Sequence, residues 1–233
     1  MKDFKIKKPS LDEYKKIDNS RAAMRERFRS VSEEGVEIEY LDKKFRVFKN
    51  VFWPFEDSKA LVKNFQIHEN DTVLDIGTGS GVIAVFSAYK GAKKVVAVDI
   101  NPDAYRTAKE NAKLHGFENR IEVRLSDVFK AIKDNEKFDV IVANPPFSDK
   151  SSKDYVEGTM FDEGFKFHQA LFEGAEKHLD NNGRIYIAQS NFGNVEKMLE
   201  LADQFGFNVE KIGEHPIAND PRVFYAFELT KNK

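Results

Sequence analysis

Val73-Leu74-Asp75-Ile76-Gly77-Thr78-Gly79-Ser80-Gly81 is the stretch that decides the fold. Thr72–Ile76 is a short run of β-favouring residues. Glycine then recurs at every second position, and the apolar run Val82–Tyr89 continues as a helix that stops near Gly91. A strand, a glycine turn and a helix form the opening unit of a parallel sheet. Glycines at such a turn let the backbone pass close to a ligand without Cβ clashes. A dinucleotide site spaces them G-x-G-x-x-G. Here Val82 holds the sixth position and Gly81 comes one residue early. Asp75 would repel a pyrophosphate, whereas a ligand with an ammonium and a sulfonium and no phosphate would tolerate it. The plain alternative is an ordinary strand-to-helix turn.

Downstream, strands and helices alternate. Strands are expected at Val95–Ile100, Ile121–Leu125, Phe138–Ala143, Arg184–Gln189, Phe207–Ile212 and Val223–Leu229. Helices are expected at Pro102–His115, in a short segment after Asp127, at Glu163–Leu179 (closed by Asn181-Asn182-Gly183) and at Val195–Phe205. No helix separates the last two strands, which makes the final strand antiparallel. The fold class is α/β: a doubly wound, mostly parallel, seven-stranded Rossmann-like sheet with an antiparallel last strand.

Upstream, residues 1–9 are polar and basic and are expected to be loosely ordered. From Ser10, Leu11, Tyr14, Ile17, Met24, Phe28 and Val31 recur at helical spacing, with a break expected near Asp18–Ser20. Val36–Tyr40 and Phe45–Val51 flank Leu41-Asp42-Lys43-Lys44 and read as a β-hairpin. Ser58–Phe65 reads as a helix after Pro54. The division expected is a helix-and-hairpin appendage over residues 1–50, capping the crevice with Trp53 and Phe55 as an aromatic wall, and a main domain over residues 51–233.

Three further positions fall where chain reaches the carboxyl edge of the sheet. Asp99 ends the second strand, where a carboxylate can accept both hydroxyls of a ribose; capping the Pro102 helix is its alternative role. Asp127 follows the third strand and, with the Val128 N–H, can read the amino edge of an adenine or cap a helix. Asn144-Pro145-Pro146-Phe147 follows the fourth strand. The prolines fix the backbone and remove two donors, leaving the Asn144 oxygen and neighbouring carbonyls as acceptors for an NH2 on a planar group, against which Phe147 can stack.

These residues resemble the class I S-adenosylmethionine-dependent methyltransferases over roughly residues 50–230. Asp75, Gly77, Thr78, Gly79 and Gly81 are similar to that family's cofactor loop, Asp99 and Ile100 to its ribose-binding end, and Asp127 and Val128 to its adenine-binding end. Asn144 to Phe147 are similar to the Asn-Pro-Pro-aromatic motif of members that methylate planar nitrogens, among them release-factor glutamine and RNA- or DNA-base enzymes. Trp53 to Val62 resemble the lead-in of the release-factor group and of "small" methyltransferase domains, with Phe55 and Asp57-Ser58 where that pattern has an Arg and a Glu-Thr pair. The resemblance implies S-adenosyl-L-methionine as cofactor, Asn144 as a residue of both cofactor and acceptor sites, and Asn144, Pro145, Pro146 and Phe147 as the catalytic motif. The acceptor it implies is a macromolecule, an RNA base amine or a protein glutamine amide such as that of a release factor. The alternatives are a small-molecule methyltransferase and a non-catalytic module that binds the cofactor.

Composition fits a globular enzyme. The 233 residues are 41% hydrophobic and 33% charged, with no cysteine, which excludes disulfides, thiolate metal sites and a cysteine nucleophile. Five scattered histidines carry no ligand spacing, and no metal is expected. No run is long and apolar enough to span a bilayer and no secretory signal is evident, so a cytoplasmic monomer without membrane contact is expected. Residues 1–30 carry ten Lys/Arg against five Asp/Glu within a chain of net charge −2. That basic arm could meet a phosphate backbone or serve as a solvated helix face.

Overall fold

The structure is a computed structural model that describes residues 4–232. Seven strands form one sheet: β3 (Thr72–Ile76), β4 (Lys94–Asp99), β5 (Ile121–Leu125), β6 (Phe138–Ala143), β7 (Leu179–Ser190), β8 (Phe207–Pro216) and β9 (Val223–Lys231), in the order β5-β4-β3-β6-β7-β9-β8. β9 lies between β7 and β8 and runs antiparallel to both. This is the doubly wound, Rossmann-like sheet with an antiparallel last strand expected from the sequence.

Strand alternation divides the core. Leu74 and Ile76 of β3, Val96 and Val98 of β4, and Ile185 and Ile187 of β7 face one cluster, with α6 (Lys166–His178) and α7 (Val195–Gln204). Val73, Val95, Ala97, Tyr186 and Ala188 face the other. That layer holds α2 (Glu56–Asn64) and α3 (Val82–Tyr89), with Ala112 of α4 (Pro102–Leu114). Strands buried on both faces read as the continuous apolar runs seen in the sequence.

Before the sheet come α1 (Leu11–Arg29), capped by a Ser10–Glu13 capping box, and a hairpin of β1 (Val36–Tyr40) and β2 (Lys43–Val47). Helix α1 is continuous through Asp18–Ser20, because Asp18 pairs with Arg21 and Lys150 instead of capping a new helix. The hairpin turns on two residues, Leu41 and Asp42, both left-handed, so β2 starts two residues earlier than the sequence suggests and ends at Val47. Of residues 1–9, those expected to be loose, 1–3 lie outside the described residues. Of the rest, Phe4 meets Phe227 edge-on at 5.3 Å, Pro9 is buried and Lys8 bridges Glu196, while Lys5 and Lys7 are exposed.

Three other expectations change. No helix follows Asp127; Val128 takes a left-handed φ of 46° and the chain turns. Gly164 and Phe165 are left-handed too, so the long helix proper starts at Lys166, after a 3-10 turn at Glu163–Phe165. Asn181-Asn182-Gly183 does not close that helix but bulges within β7, which pairs with β6 from Leu179 onward. Among the described residues no helix is long and apolar enough to cross a membrane.

Candidate active site

Register alone assembles the site. Ile76 at the end of β3 pairs with Val98 on one side and Ala143 on the other. Gly77, Asp99 and Asn144 are therefore neighbours on the carboxyl edge, at the point where strand order reverses. Asp99 in turn pairs with Leu125, which brings Asp127 and Val128 alongside. A cavity of about 940 Å³ opens there, lined by Gly77 to Ser80, Asp99, Ile100, Asp127, Val128 and Asn144 to Phe147.

Two cofactor-loop residues do not line it. Asp75 is wholly buried; its Oδ2 accepts from the Thr78 hydroxyl at 2.6 Å and the Ala84 N–H at 3.1 Å, and its Oδ1 has no partner among the described residues. Gly81 faces α4, where a Cβ would stand 2.9 Å from the Ala108 Cα. Gly77 and Gly79 have nothing closer than 3.9 Å and border open space. The glycine loop thus has two jobs: Gly77 and Gly79 leave room for a ligand, and Gly81 seats α3 on α4.

The Asp99 carboxylate accepts from the N–H groups of Gly79 and Asn101, at 2.8 and 2.9 Å. Asn101 is the cap of α4, which removes the capping role from Asp99. Burial pushes the Asp75 carboxyl up to about 7, and the nearby Asp99 carboxylate adds to the rise. Burial likewise raises Asp99. Two such carboxylates beside a glycine turn favour a cationic, hydroxyl-bearing ligand and disfavour a phosphate. Asp127 pairs with Lys130 at the rim, and the Val128 N–H has no protein partner among the described residues. The Asp99 carboxylate, the Val128 N–H and the open space at Gly77 and Gly79, all on the cavity wall, fit S-adenosylmethionine.

Asn144 donates from Nδ2 to the Ser58 hydroxyl at 3.2 Å, and its buried Oδ1 has no partner among the described residues. Phe147 is 7% exposed and sits edge-on to Phe192 and tilted against Phe224. Little of its face is free to stack. The aromatic wall is made by Phe52 and Phe55 instead of Trp53, which faces Ala104, Val47 and the Arg27 guanidinium. Sequence reading also missed Phe167, whose ring covers Gly77, and the roof. That roof is α1 on α5 (Tyr155–Gly158) and the loop around it. Buried Arg21 donates to the Ser148 hydroxyl and the Met160 carbonyl, both at 2.9 Å, and lies over the Phe161 and Phe192 rings. The signal was an arginine on the apolar side of a predicted helix.

The sequence model of the family described as methyltransferase small domain matches residues 56–215. A protein of Methanocaldococcus jannaschii assigned as an N5-glutamine methyltransferase is 36% identical over 181 residues, covering 75% of this chain and 89% of the relative. The release factor glutamine methyltransferase of Aquifex aeolicus is 31% identical, over 75% of this chain and 68% of its own length. The one from Cereibacter sphaeroides is 32% identical and is matched over 56% of its length. Among solved structures, the M. jannaschii tRNA m1G37 methyltransferase superposes with a TM-score of 0.62 at 21% identity, over 87% of this chain and 58% of that one. This last likeness is one of fold.

Proposed function

The chain belongs to the methyltransferase small-domain family, and from that premise we propose that it methylates the side-chain amide nitrogen of a glutamine in a protein. It is an S-adenosylmethionine-dependent enzyme acting on a macromolecule. When bound, the cofactor supplies a methyl group on a sulfonium, which leaves as a neutral thioether when a nitrogen lone pair takes the methyl.

The residues divide the work. Asp99 accepts ribose hydroxyls beside the backbone donors it already holds, and the Val128 N–H meets the adenine. Asn144 carries the proposal: its Oδ1 is a buried acceptor with no partner among the described residues. An unpaired buried acceptor is costly, and an N–H of the incoming amide relieves the cost. With the Pro145 carbonyl as a second acceptor, it draws the nitrogen lone pair out of conjugation and toward the methyl carbon. The nitrogen then sheds a proton to water at the mouth. Phe52 and Phe55 keep the pocket dry.

The glutamine assignment rests on the relative matched over most of its length and on where the α1 arginines are. Arg21 is buried, Arg25 and Arg27 lie over Phe161 and Trp53, and Arg29 pairs with Asp154. Arg21, Arg25 and Arg29 are thereby engaged by the roof, while Arg27 stays exposed over Trp53. The test supplies methyl-tritiated S-adenosylmethionine with a purified release factor and, separately, with total cellular RNA. Label released from the protein as methylamine on acid hydrolysis is expected. Label in nucleosides overturns the glutamine assignment.

A further inference from the structure

We propose that Asp57 and Ser58 fix the polarity of the Asn144 amide, so that the site takes only an acceptor nitrogen that presents an N–H; this rests on the reading of Asn144 given above. Asp57 is 4% exposed on the first turn of α2 and forms no ion pair among the described residues. Its Oδ1 accepts the Ser58 N–H at 2.7 Å and faces the Ser58 hydroxyl at 3.4 Å. The same hydroxyl accepts the Asn144 Nδ2 at 3.2 Å. The hydrogen bonds run in one direction, from the Asn144 NH2 through the Ser58 O–H to the Asp57 carboxylate. Burial pushes the Asp57 carboxyl up, and a hydrogen bond from the Asn144 side chain draws it back most.

An amide has two faces of opposite polarity, and nothing in its shape chooses between them. Here the surroundings choose. Were Asn144 flipped, its oxygen would face the Ser58 hydroxyl oxygen, whose proton points to Asp57, and the Asn144 hydrogen bond that draws the Asp57 carboxyl down would be lost. The NH2 is therefore committed to Asp57 and Ser58, and Oδ1 is left as the acceptor with no partner. The carboxylate also polarises the amide, which strengthens a hydrogen bond accepted at Oδ1. A primary amide or exocyclic amine satisfies that oxygen. A nucleophile with only a lone pair to present leaves two acceptors facing each other. Asp57 and Ser58 touch neither acceptor nor cofactor in this scheme; they are positioning residues.

The experiment compares full-length wild type with Asp57→Asn, Ser58→Ala, Asn144→Ala, Asn144→Asp and the double variant D57N/N144D. Thermal midpoints and cofactor titration accompany each. The first readout needs no acceptor: exchange of the Asn144 side-chain NH2 protons in 15N-labelled protein, assigned by their absence in Asn144→Ala. Wild-type protons should exchange slowly, and about tenfold faster in Asp57→Asn. The second is turnover on whichever of release factor or total RNA takes up label. Asp57→Asn should lower kcat by about 10- to 100-fold with KM and cofactor affinity within about threefold. The exchange of charges is decisive. Asn144→Asp sets two buried carboxylates against each other, whereas D57N/N144D restores one amide donating to one carboxylate with an oxygen left over. The double variant should turn over at least about tenfold faster than Asn144→Asp. Should Asp57→Asn fail to fold, Ser58→Ala and the double variant carry the same comparison. Wild-type exchange and kcat in Asp57→Asn, or a double variant no better than Asn144→Asp, overturns the polarity lock. Wild-type turnover in Asn144→Ala overturns the reading of the site instead. If neither probe takes up label, the exchange rates decide alone.

Discussion

Asp75 is a carboxylate under two opposing demands. Burial and the Asp99 charge push it up to about 7, while the Thr78 hydroxyl and the Ala84 N–H hold it down. Its folded affinity for a proton exceeds that of an unfolded aspartate, near pKa 3.9, so the stability contributed by the protonated form falls as pH rises from about 4 through about 7. Asp75 does not line the cavity, but a cationic ligand there favours its ionised form through space. Cofactor affinity should therefore rise with pH up to about 7 and level off, and binding near pH 6 should release protons. Calorimetry in two buffers of different ionisation enthalpy reads that release directly, and its absence would exclude Asp75 from cofactor recognition. Asp99 and Asn144 should separate cleanly. Asp99→Ala should raise the cofactor Kd by about tenfold or more through lost hydrogen bonds, and Asn144→Ala should lower kcat by about 100-fold with that Kd nearly unchanged. Titration and steady-state kinetics on the two variants test the pair. At this scale the sequence was readable where a residue's task is local, as at Gly77, Gly79 and Asp99. It was silent on Gly81 facing Ala108, because the partner helix lies beyond the next strand.

Gly81 shows how an element is seated. Its φ of 78° is left-handed and the Ala108 Cα is close by, so Gly81→Ala meets both strain and a backbone clash. It should destabilise the fold by about 2 kcal/mol or more, read as a lowered denaturant midpoint, while Gly116→Ala, left-handed but open, should cost less. The roof is a different kind of element. Arg21 joins α1 to the Ser148–Met160 loop through two hydrogen bonds and two ring faces. Burial lowers its guanidinium to about 10, still charged at neutral pH. Arg21→Met keeps the stem but loses both hydrogen bonds and leaves the Met160 carbonyl only the Ser148 N–H at 3.3 Å, and should cost about 1–3 kcal/mol. Hydrogen exchange over residues 148–161 should quicken while the β3–β4 core does not change; uniform protection across both would mean that the loop holds itself. Sheet strands were legible because each is a self-contained apolar run. The roof was not, because its contacts join residues more than a hundred positions apart, and no local pattern records them.

The first fifty residues behave as two pieces in the whole molecule. The hairpin is part of the main packing: Phe45 and Val47 are fully buried, and the Asn111 side chain bonds both backbone groups of Arg46 and the Ser80 carbonyl. A cut at residue 50 would remove Phe45 from a cluster that includes Val82 and Ala112, a loss of about 3–5 kcal/mol for one large aromatic alone. Helix α1 touches less of the sheet and more of the site, with Phe28 meeting Phe52 at 5.4 Å and Ser20, Arg21, Met24 and Arg27 lining the cavity. A chain starting at Ser32 should therefore remain folded, with the hairpin in place, and bind S-adenosylmethionine within about threefold of the full chain, since the glycine loop, Asp99 and Val128 are all retained. Its turnover should fall by about 100-fold, because the roof over Asn144 is gone and water enters where the amide must be desolvated. Calorimetry with the cofactor and turnover on the labelled acceptor separate the two effects. Equal losses in both would mean that α1 supports the fold at large, and full turnover in a folded, cofactor-binding chain would show that the acceptor needs no roof.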